Sequence, residues 1–359
     1  MPTFFQKIRY NISLMQIEWN SFVNLFVLGM HVLAFGVLFI PGVWYWPAIL
    51  GCIVMYYVKA FIVVAGYHRY FAHKTYKTSR WFQFLLAFGS QMSMQISVIT
   101  WQINHRHHHA HTDEHDDIHS PWDNPLTQDQ NEKYKMKKGW MRLFYFLWAH
   151  IGSIITERMV NKKPDKISEY FLKFPEIAWL HRYQFVPYTL YIVLCLLVSF
   201  FFGWQWFIWL VIINTVVLWN ATWLINSVTH MFGYQTFKEG GKSKTGNIWC
   251  LWPIMLGENF HNNHHRYSMC TRQGFKWWEF DVTYYILKLL SFIKVTWDLK
   301  EPTIRVMKEA LEEKLEVLNV RFQKAVQEQK TYQKKKLARL IESVQSRIEE
   351  MNRKEVQSH

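Results

Sequence analysis

Two long intervals of this chain carry no Asp, Glu, Lys or Arg: the one between Glu18 and Lys59, and the one between Arg182 and Lys238. A helix that crosses a bilayer needs about 20 mostly apolar residues, so each interval holds two helices and a turn. Pro41-Gly42 breaks the first and Gly203 the second. The predicted spans are residues 21–40, 44–66, 184–202 and 204–225. Trp44, Tyr45, Trp46, Trp204 and Trp206 flank the two turns, as aromatic residues do at a membrane interface. Since the turns are uncharged, every Lys and Arg lies on the other face. The positive-inside rule makes that face cytoplasmic and places both termini there. Each hairpin returns the chain to the side it left.

A third uncharged stretch, 81–104, contains Gln83, Gln91, Gln95 and Gln102, which are costly in lipid without partners. It is expected as helical segments lying at, or dipping into, the cytoplasmic interface. Residues 1–20 read as an amphipathic lead-in, and residues 120–182 as a charged stretch, helical in pieces, with loop signals at Pro121 and Asn124-Pro125. Gly240-Gly241 opens a loop, and Trp277, Trp278 and residues 284–293 predict a surface apolar helix. From Thr303 to Lys354 there is no Gly or Pro. Apolar residues recur at Leu311, Leu315, Leu318 and Phe322, then at Leu337, Leu340, Val344 and Met351. That pattern predicts a long helix with a polar break near 334–336, either packed on the cytoplasmic domain or self-associating as a coiled coil. The chain thus divides into residues 1–302 and a charged tail, 303–359. The fold class is an all-α integral membrane protein: four transmembrane helices in two hairpins, capped by a cytoplasmic helical domain.

Composition agrees. Half of the 359 residues are hydrophobic and 18% are aromatic, more than a soluble domain carries. The net charge of +14 fits a face resting on anionic lipid, an acidic substrate head, or solubility alone. No signal peptide is visible. Cys52, Cys195, Cys250 and Cys270 form no CxxC pair, which argues against a disulfide framework and a thiolate metal site.

The chemistry lies in the histidines. Nine of the seventeen fall in clusters: His68 and His73 (HRYFAH), His105, His108 and His109 (HRHHH), His230, and His261, His264 and His265 (HNNHH). Positions i, i+3 and i+4 share one helix face, and imidazole suits redox-active first-row metals. Nine ligands are too many for one ion, so a pair is expected. Asn226 precedes His230 by one turn and is placed to hold a metal-bound water or to orient that ring. His31, His107, His150 and His181 read as bystanders. His111, Asp113, Glu114, His115, Asp116, Asp117 and His119 form a polar run that is either a source of partners for the ligating rings or a solvated loop.

HRYFAH, HRHHHAHTDEHDDIHSP, NSVTHMFGY and GENFHNNHH resemble the histidine boxes of the membrane fatty acyl desaturases, in particular the acyl-CoA delta-9 (stearoyl-CoA type) branch, in order and spacing from about residue 20 to residue 300. The resemblance implies a four-span fold and two iron ions held by the nine histidines, with Asn226 reaching one metal through water. It also implies that Gln95, Trp101 and Thr222 line a bend in the acyl tunnel. Departures concern the coenzyme A head: Ile103-Asn104 stands where relatives place Arg-Asp, residues 149–153 (AHIGS) lose a Trp, and Glu157-Arg158 replaces two bases. Arg158, with Arg142, Lys162 and Lys163, is left to meet phosphates. Residues 126–138 look like an insertion.

The resemblance implies an enzyme that removes two hydrogens from adjacent carbons of a saturated acyl chain of stearoyl or palmitoyl type, giving a cis double bond at delta-9. The chain is expected as its coenzyme A thioester, with a lipid-bound acyl chain as the alternative. Acid–base chemistry cannot attack an unactivated C–H bond at neutral pH, so dioxygen and a redox metal are required and zinc is excluded as the working ion. The chain carries no HPGG haem motif, CxxC pair or GxGxxG fingerprint. Electrons are therefore expected from a separate carrier of cytochrome b5, ferredoxin or rubredoxin type and its reductase. No nucleic-acid partner is expected. A bacterial inner membrane is favoured over endoplasmic reticulum. A related hydroxylase is the near rival, and a membrane metal-handling protein the distant one. Ligands gathered at one face, away from the midplane, argue against a conduction path.

Overall fold

The computed structural model describes residues 21–114, 117–124, 139–155, 164–238 and 244–357. The lead-in, Pro125, the insertion, Arg158, Lys162, Lys163, the Gly240-Gly241 turn, His115 and Asp116 lie outside the described residues.

The first uncharged interval forms α1 (Ser21–Val37) and α2 (Trp46–Ala72), and the second forms α8 (Phe185–Phe202) and α9 (Gln205–Met231). The turns fall where the breakers stand, with Gly42 at φ +80° and Gly203 at φ +105°, a region costly for any residue with a Cβ. Three of these helices, α2, α8 and α9, are long and apolar enough to cross a membrane; the apolar part of α1 among the described residues is Leu25–Val37. Two boundaries differ from expectation. α2 ends at Ala72 rather than 66, and α9 at Met231 rather than 225, because both helices run on into the histidine clusters. The hairpins lock through Trp209 Nε1, which donates to Val43 O at 2.8 Å, and Asn214 Nδ2, which donates to Cys52 O at 2.9 Å.

The stretch 81–104 becomes two helices, α3 (Arg80–Gln91) and α4 (Val98–Ala110), separated by a break in which Met94 and Ile96 take positive φ. Neither approaches the length needed to cross a hydrocarbon core of about 30 Å. Its glutamines find protein partners. Gln83 accepts from Tyr70 Oη (2.8 Å), Gln91 accepts from the Val98 N–H (3.2 Å) and donates to Leu180 O (3.1 Å), and Gln102 accepts from Arg106 (3.1 Å).

The cap adds α5 (Gly139–Leu147), α6 (Lys166–Leu172), α7 (Pro175–Arg182), α10 (His261–Arg266) and α11 (Val282–Phe292). Its core gathers Tyr67, Phe71, Leu86, Ile99, Phe171 and Leu180, all buried. A two-stranded ribbon, β1 (Lys77–Thr78) antiparallel to β2 (Thr296–Trp297), ties the end of α2 to the segment after α11.

The tail is two helices rather than one. α12 (Ile304–Gln327) and α13 (Thr331–Gln357) turn at Gln329, which takes φ +55°. The break thus precedes the basic run at 334–336. Leu311, Leu318 and Val344 bury against each other with Leu315, Leu337, Ile341 and Met351 packed round them, so most of the expected apolar stripe closes within the chain, while Leu340 is exposed and Ile341 packs in its place. Arg266 and Tyr267, just past the last histidine box, both bond Glu309 of α12.

Candidate metal centre

Nine imidazoles meet at one end of the apolar helices α2 and α9 as two groups. His68, His73, His105, His109 and His264 form one, and His108, His230, His261 and His265 the other; within each, the ligating nitrogens all lie within 4.8 Å of one another. Each HxxHH box is divided between them. Its i, i+4 pair serves one group and its odd ring the other, so His105 and His109 join His264, while His261 and His265 join His108. The two boxes therefore bridge both groups.

Local winding explains the first pair. Five residues apart on an α-helix of 3.6 residues per turn, His68 and His73 would point about 140° away from each other. Residues Val63–Ala72 are instead wound as a π-helix, and the His73 N–H bonds His68 O at 3.2 Å. The wider turn brings both rings to one face, with centroids 4.9 Å apart.

Five of the Nδ1 atoms look outward to polar partners, three of them carboxylates. His108 Nδ1 meets Asp117 Oδ1 at 2.8 Å, His230 Nδ1 meets Asp113 Oδ1 at 3.1 Å, and His68 Nδ1 abuts Glu258. Gln273 faces His264 Nδ1 at 3.2 Å and Thr112 faces His265 Nδ1 at 3.3 Å. A carboxylate at Nδ1 holds the proton there, which leaves the Nε2 lone pair inside. Inside, Nε2 atoms confront one another: His73 and His105 at 2.8 Å, His109 and His264 at 2.9 Å, His68 and His264 at 3.0 Å, His230 and His261 at 3.0 Å. Converging lone pairs repel unless a cation sits among them, so the donor set fits two metal ions. All nine donors are imidazoles, with no thiolate among them, a set suited to iron, copper, nickel or zinc.

Electrostatics agree with a neutral donor set. Burial first, and the neighbouring imidazoles second, hold His73, His105, His108, His109, His261, His264 and His265 well below the usual histidine range. Burial alone would raise Asp113, but His230 beside it, with hydrogen bonds from Ser120 and the Lys244 N–H, brings it down to about 2. It stays an anion, able to orient His230.

A family model described as fatty acid desaturase matches residues 44–288. The chain belongs to the fatty acid desaturase family. It is 30% identical over 286 residues to the sn-1 stearoyl-lipid 9-desaturase of Anabaena variabilis, covering 79% of this chain and 94% of that one. It is 29% identical over 286 residues to the Delta-9 acyl-lipid desaturase 1 of Arabidopsis thaliana (79% and 83%), and 28% over 297 residues to the acyl-CoA C20 Delta5-desaturase of Anemone leveillei (80% and 84%). The α12–α13 hairpin lies beyond the matched residues of the family model.

Of the other residues singled out in this desaturase, Trp101 lies against the imidazole groups. Trp101 stacks on His105 (centroids 5.0 Å apart) and on Tyr67 (5.2 Å). Gln95 Nε2 donates to Thr222 Oγ1 at 3.2 Å, so these two are direct partners. Asn226 is half-buried on α9, one turn before His230. His31 and His150 flank Asn220, each 3.0 Å from its side chain, and His181 bonds Ser97; none of the three belongs to a group. An apolar cleft of about 270 Å³, counting its open mouth, runs between α2 and α9 and is lined by Tyr56, Ala60, Val63, Leu218, Thr222 and Ile254, among others.

Sequence reasoning missed the scaffold behind the rings. Arg69, fully buried one residue past His68, donates to Glu258 (3.1 Å), Asp281 (3.0 Å) and Thr271 O (2.7 Å). Asn262 and Asn263, between the ligating histidines of α10, bind the Thr236 and Phe237 N–H groups and Glu279. An arginine at the end of an apolar helix and a glutamate three before His261 were the available signals.

Proposed function

We propose that this desaturase is an oxygen-dependent, membrane-bound enzyme that introduces a cis double bond at the delta-9 position of a saturated acyl chain, using two iron ions. The observation that carries the reading is the convergence of nine imidazoles into two groups in a member of this family. Iron held by the five- and four-histidine groups would supply the dioxygen activation that an unactivated C–H bond requires. The balance is one saturated chain, one dioxygen, two electrons and two protons giving one double bond and two waters.

The chain's own residues perform the positioning. Asp113, Asp117 and Glu258 fix the rings of His230, His108 and His68 through Nδ1. Asn226, one turn before His230, would orient a water towards the four-histidine group. The Gln95–Thr222 bond and the Trp101 ring, stacked on His105, shape the wall where the acyl chain bends past the centre. The apolar cleft beyond Thr222 receives the methyl end and keeps water out.

α1 is the fourth crossing, and the termini and the metal centre are cytoplasmic, at a bacterial inner membrane. A separate carrier docks on that face to deliver electrons.

The acyl carrier has two readings. Coenzyme A would use Arg142, exposed on α5, with Arg158, Lys162 and Lys163. A lipid-borne chain is favoured by two observations: Ile103 offers no charge to a nucleotide, and two of the three relatives above are named for lipid-linked substrates. We take the lipid-linked reading first. A short isotope pulse of saturated fatty acid in a host expressing this chain tests it. Label is expected first in unsaturated phospholipid, while acyl-CoA stays saturated; unsaturated acyl-CoA appearing first overturns the lipid reading and leaves the chemistry standing.

A further inference from the structure

The acyl cleft has one wall that is neither a crossing helix nor part of the ligand scaffold. From Thr245 to Gly257 the chain carries no charge and reads TGNIWCLWPIMLG. The ends of this loop are pinned to each other at the metal centre: the Ile248 N–H donates to Asn259 O at 2.8 Å, and Asn259 Nδ2 donates back to Ile248 O at 3.0 Å. Between them the chain leaves as a short helical hook, Trp249–Leu251 then Trp252–Met255, and reverses at Leu256 and Gly257, both at positive φ.

The hook reaches along α2 and α9, away from the ligands. Tyr56 Oη donates to Ile254 O at 2.5 Å, and Leu256 buries against Tyr56, Ala60, Leu218 and Ala221. Tyr56 and Ala60 precede His68 by twelve and eight residues, about 12–18 Å along the helix at 1.5 Å per residue. Counted from residue 66, the expected end of the span, they lie about 15 and 9 Å in, within a hydrocarbon core of about 30 Å. The outer side of the hook exposes Trp249, Cys250, Trp252 and Ile254. In water such a surface costs about 25 cal/mol per Å² of apolar area; in lipid it costs nothing. Among the residues lining the cleft, Ile254 alone is exposed, so it stands between the cleft and the outside.

We propose that residues 248–256 are a membrane-embedded side wall of the acyl cleft, and that a lipid-borne chain enters past Ile254 from within the bilayer rather than threading from the cytoplasm. The occupant of the hook's outer face is bilayer lipid. The inference rests on the lipid-linked reading above. The wall is tied to its surroundings by Tyr56 Oη to Ile254 O, Asn259 Nδ2 to Ile248 O, the Thr283 N–H to Leu256 O and the packing of Leu256, so Ile254 at its exposed edge is the point of entry.

Depth is measured without turnover. Cys250 is the exposed cysteine and Cys52, Cys195 and Cys270 are buried, so a bimane label on the full chain reports this loop. In phosphatidylcholine vesicles, lipids brominated in the tail quench it and aqueous iodide does not. Quenching by iodide alone overturns the embedded wall. The route is measured with Ile254→Trp, which narrows the mouth, and Ile254→Ala, which widens it. Turnover of lipid-borne chains falls roughly tenfold or more in the first and is kept or raised in the second, as pocket-size changes do, with metal content unchanged in both. Wild-type turnover in both variants overturns entry at Ile254. A wild-type chain that desaturates no lipid contradicts the assigned activity instead, and the quenching still decides where the loop sits.

Discussion

The Gly257 backbone passes directly over the Asp281 carboxylate, so close that a Cβ on Gly257 would lie 2.2 Å from Asp281 Oδ1 and 2.7 Å from the Arg69 guanidinium. Asp281 also accepts from the N–H groups of Gln273 and Tyr284, the latter capping α11. One buried ion pair thus joins the first histidine box, the third box and the helix that follows it. Gly257→Ala is expected to destabilise the protein by at least about 3 kcal/mol, since it splits a buried charge pair and places a Cβ at φ +115°. Arg69→Met should cost about as much, because it strands both Glu258 and Asp281. Thermal unfolding in detergent checks both. Wild-type midpoints would mean that the backbone yields at little cost.

Ligands and bystanders separate by substitution. Ala at His108, His230 or His264 is expected to abolish desaturation and lower the metal content, because each ring belongs to a converging group. Ala at His31 or His181 should leave activity within a few-fold of wild type, as expected for residues outside the centre. Equal loss in all five variants, with folding intact, would contradict the division.

The hairpin turns and the nine rings were legible because charge blocks, breakers and histidine spacing are local signals. The π winding between His68 and His73 was not, since sequence periodicity assumes 3.6 residues per turn and HxxxxH then points two ways. Nor was the division of each HxxHH box, because shared helix face does not say which neighbour the face meets. The acidic partners of the rings depend on tertiary contact: in the run 111–119, Asp113 and Asp117 face ligating imidazoles, and nothing in the spacing singles them out. The tail turn follows the left-handed Gln329, while the conspicuous basic run lies within α13.

Acid should unfold the metal-free protein. Seven of the rings are held below the usual histidine range. As pH falls through the unfolded value of about 6.5, the unfolded chain takes up protons that the folded chain refuses, so stability falls with pH. Above that value the contribution is fully present. The melting midpoint of chelator-treated protein is expected to drop between pH 7.5 and pH 5.5, and metal loading to oppose the drop. A flat profile would mean that the rings protonate in place.

Removing residues 303–359 tests the tail. Its apolar stripe is spent on Leu311, Leu318 and Val344 within the hairpin, so truncation is expected to leave the oligomeric state unchanged on light scattering. A shift to a smaller species would show that the hairpin also joins two copies.

The account turns on oxygen-dependent desaturation at the nine-histidine centre. The direct measurement is gas chromatography with mass spectrometry of lipids from a host lacking its own delta-9 desaturase, fed deuterated stearate and expressing either this chain or its His264→Ala variant. The account predicts deuterated cis-9 monoene that has lost two deuterons with the wild-type chain in air, and none with the variant or without oxygen. A hydroxylated product in its place, or no deuterated product from a folded, iron-loaded wild-type chain, would contradict it.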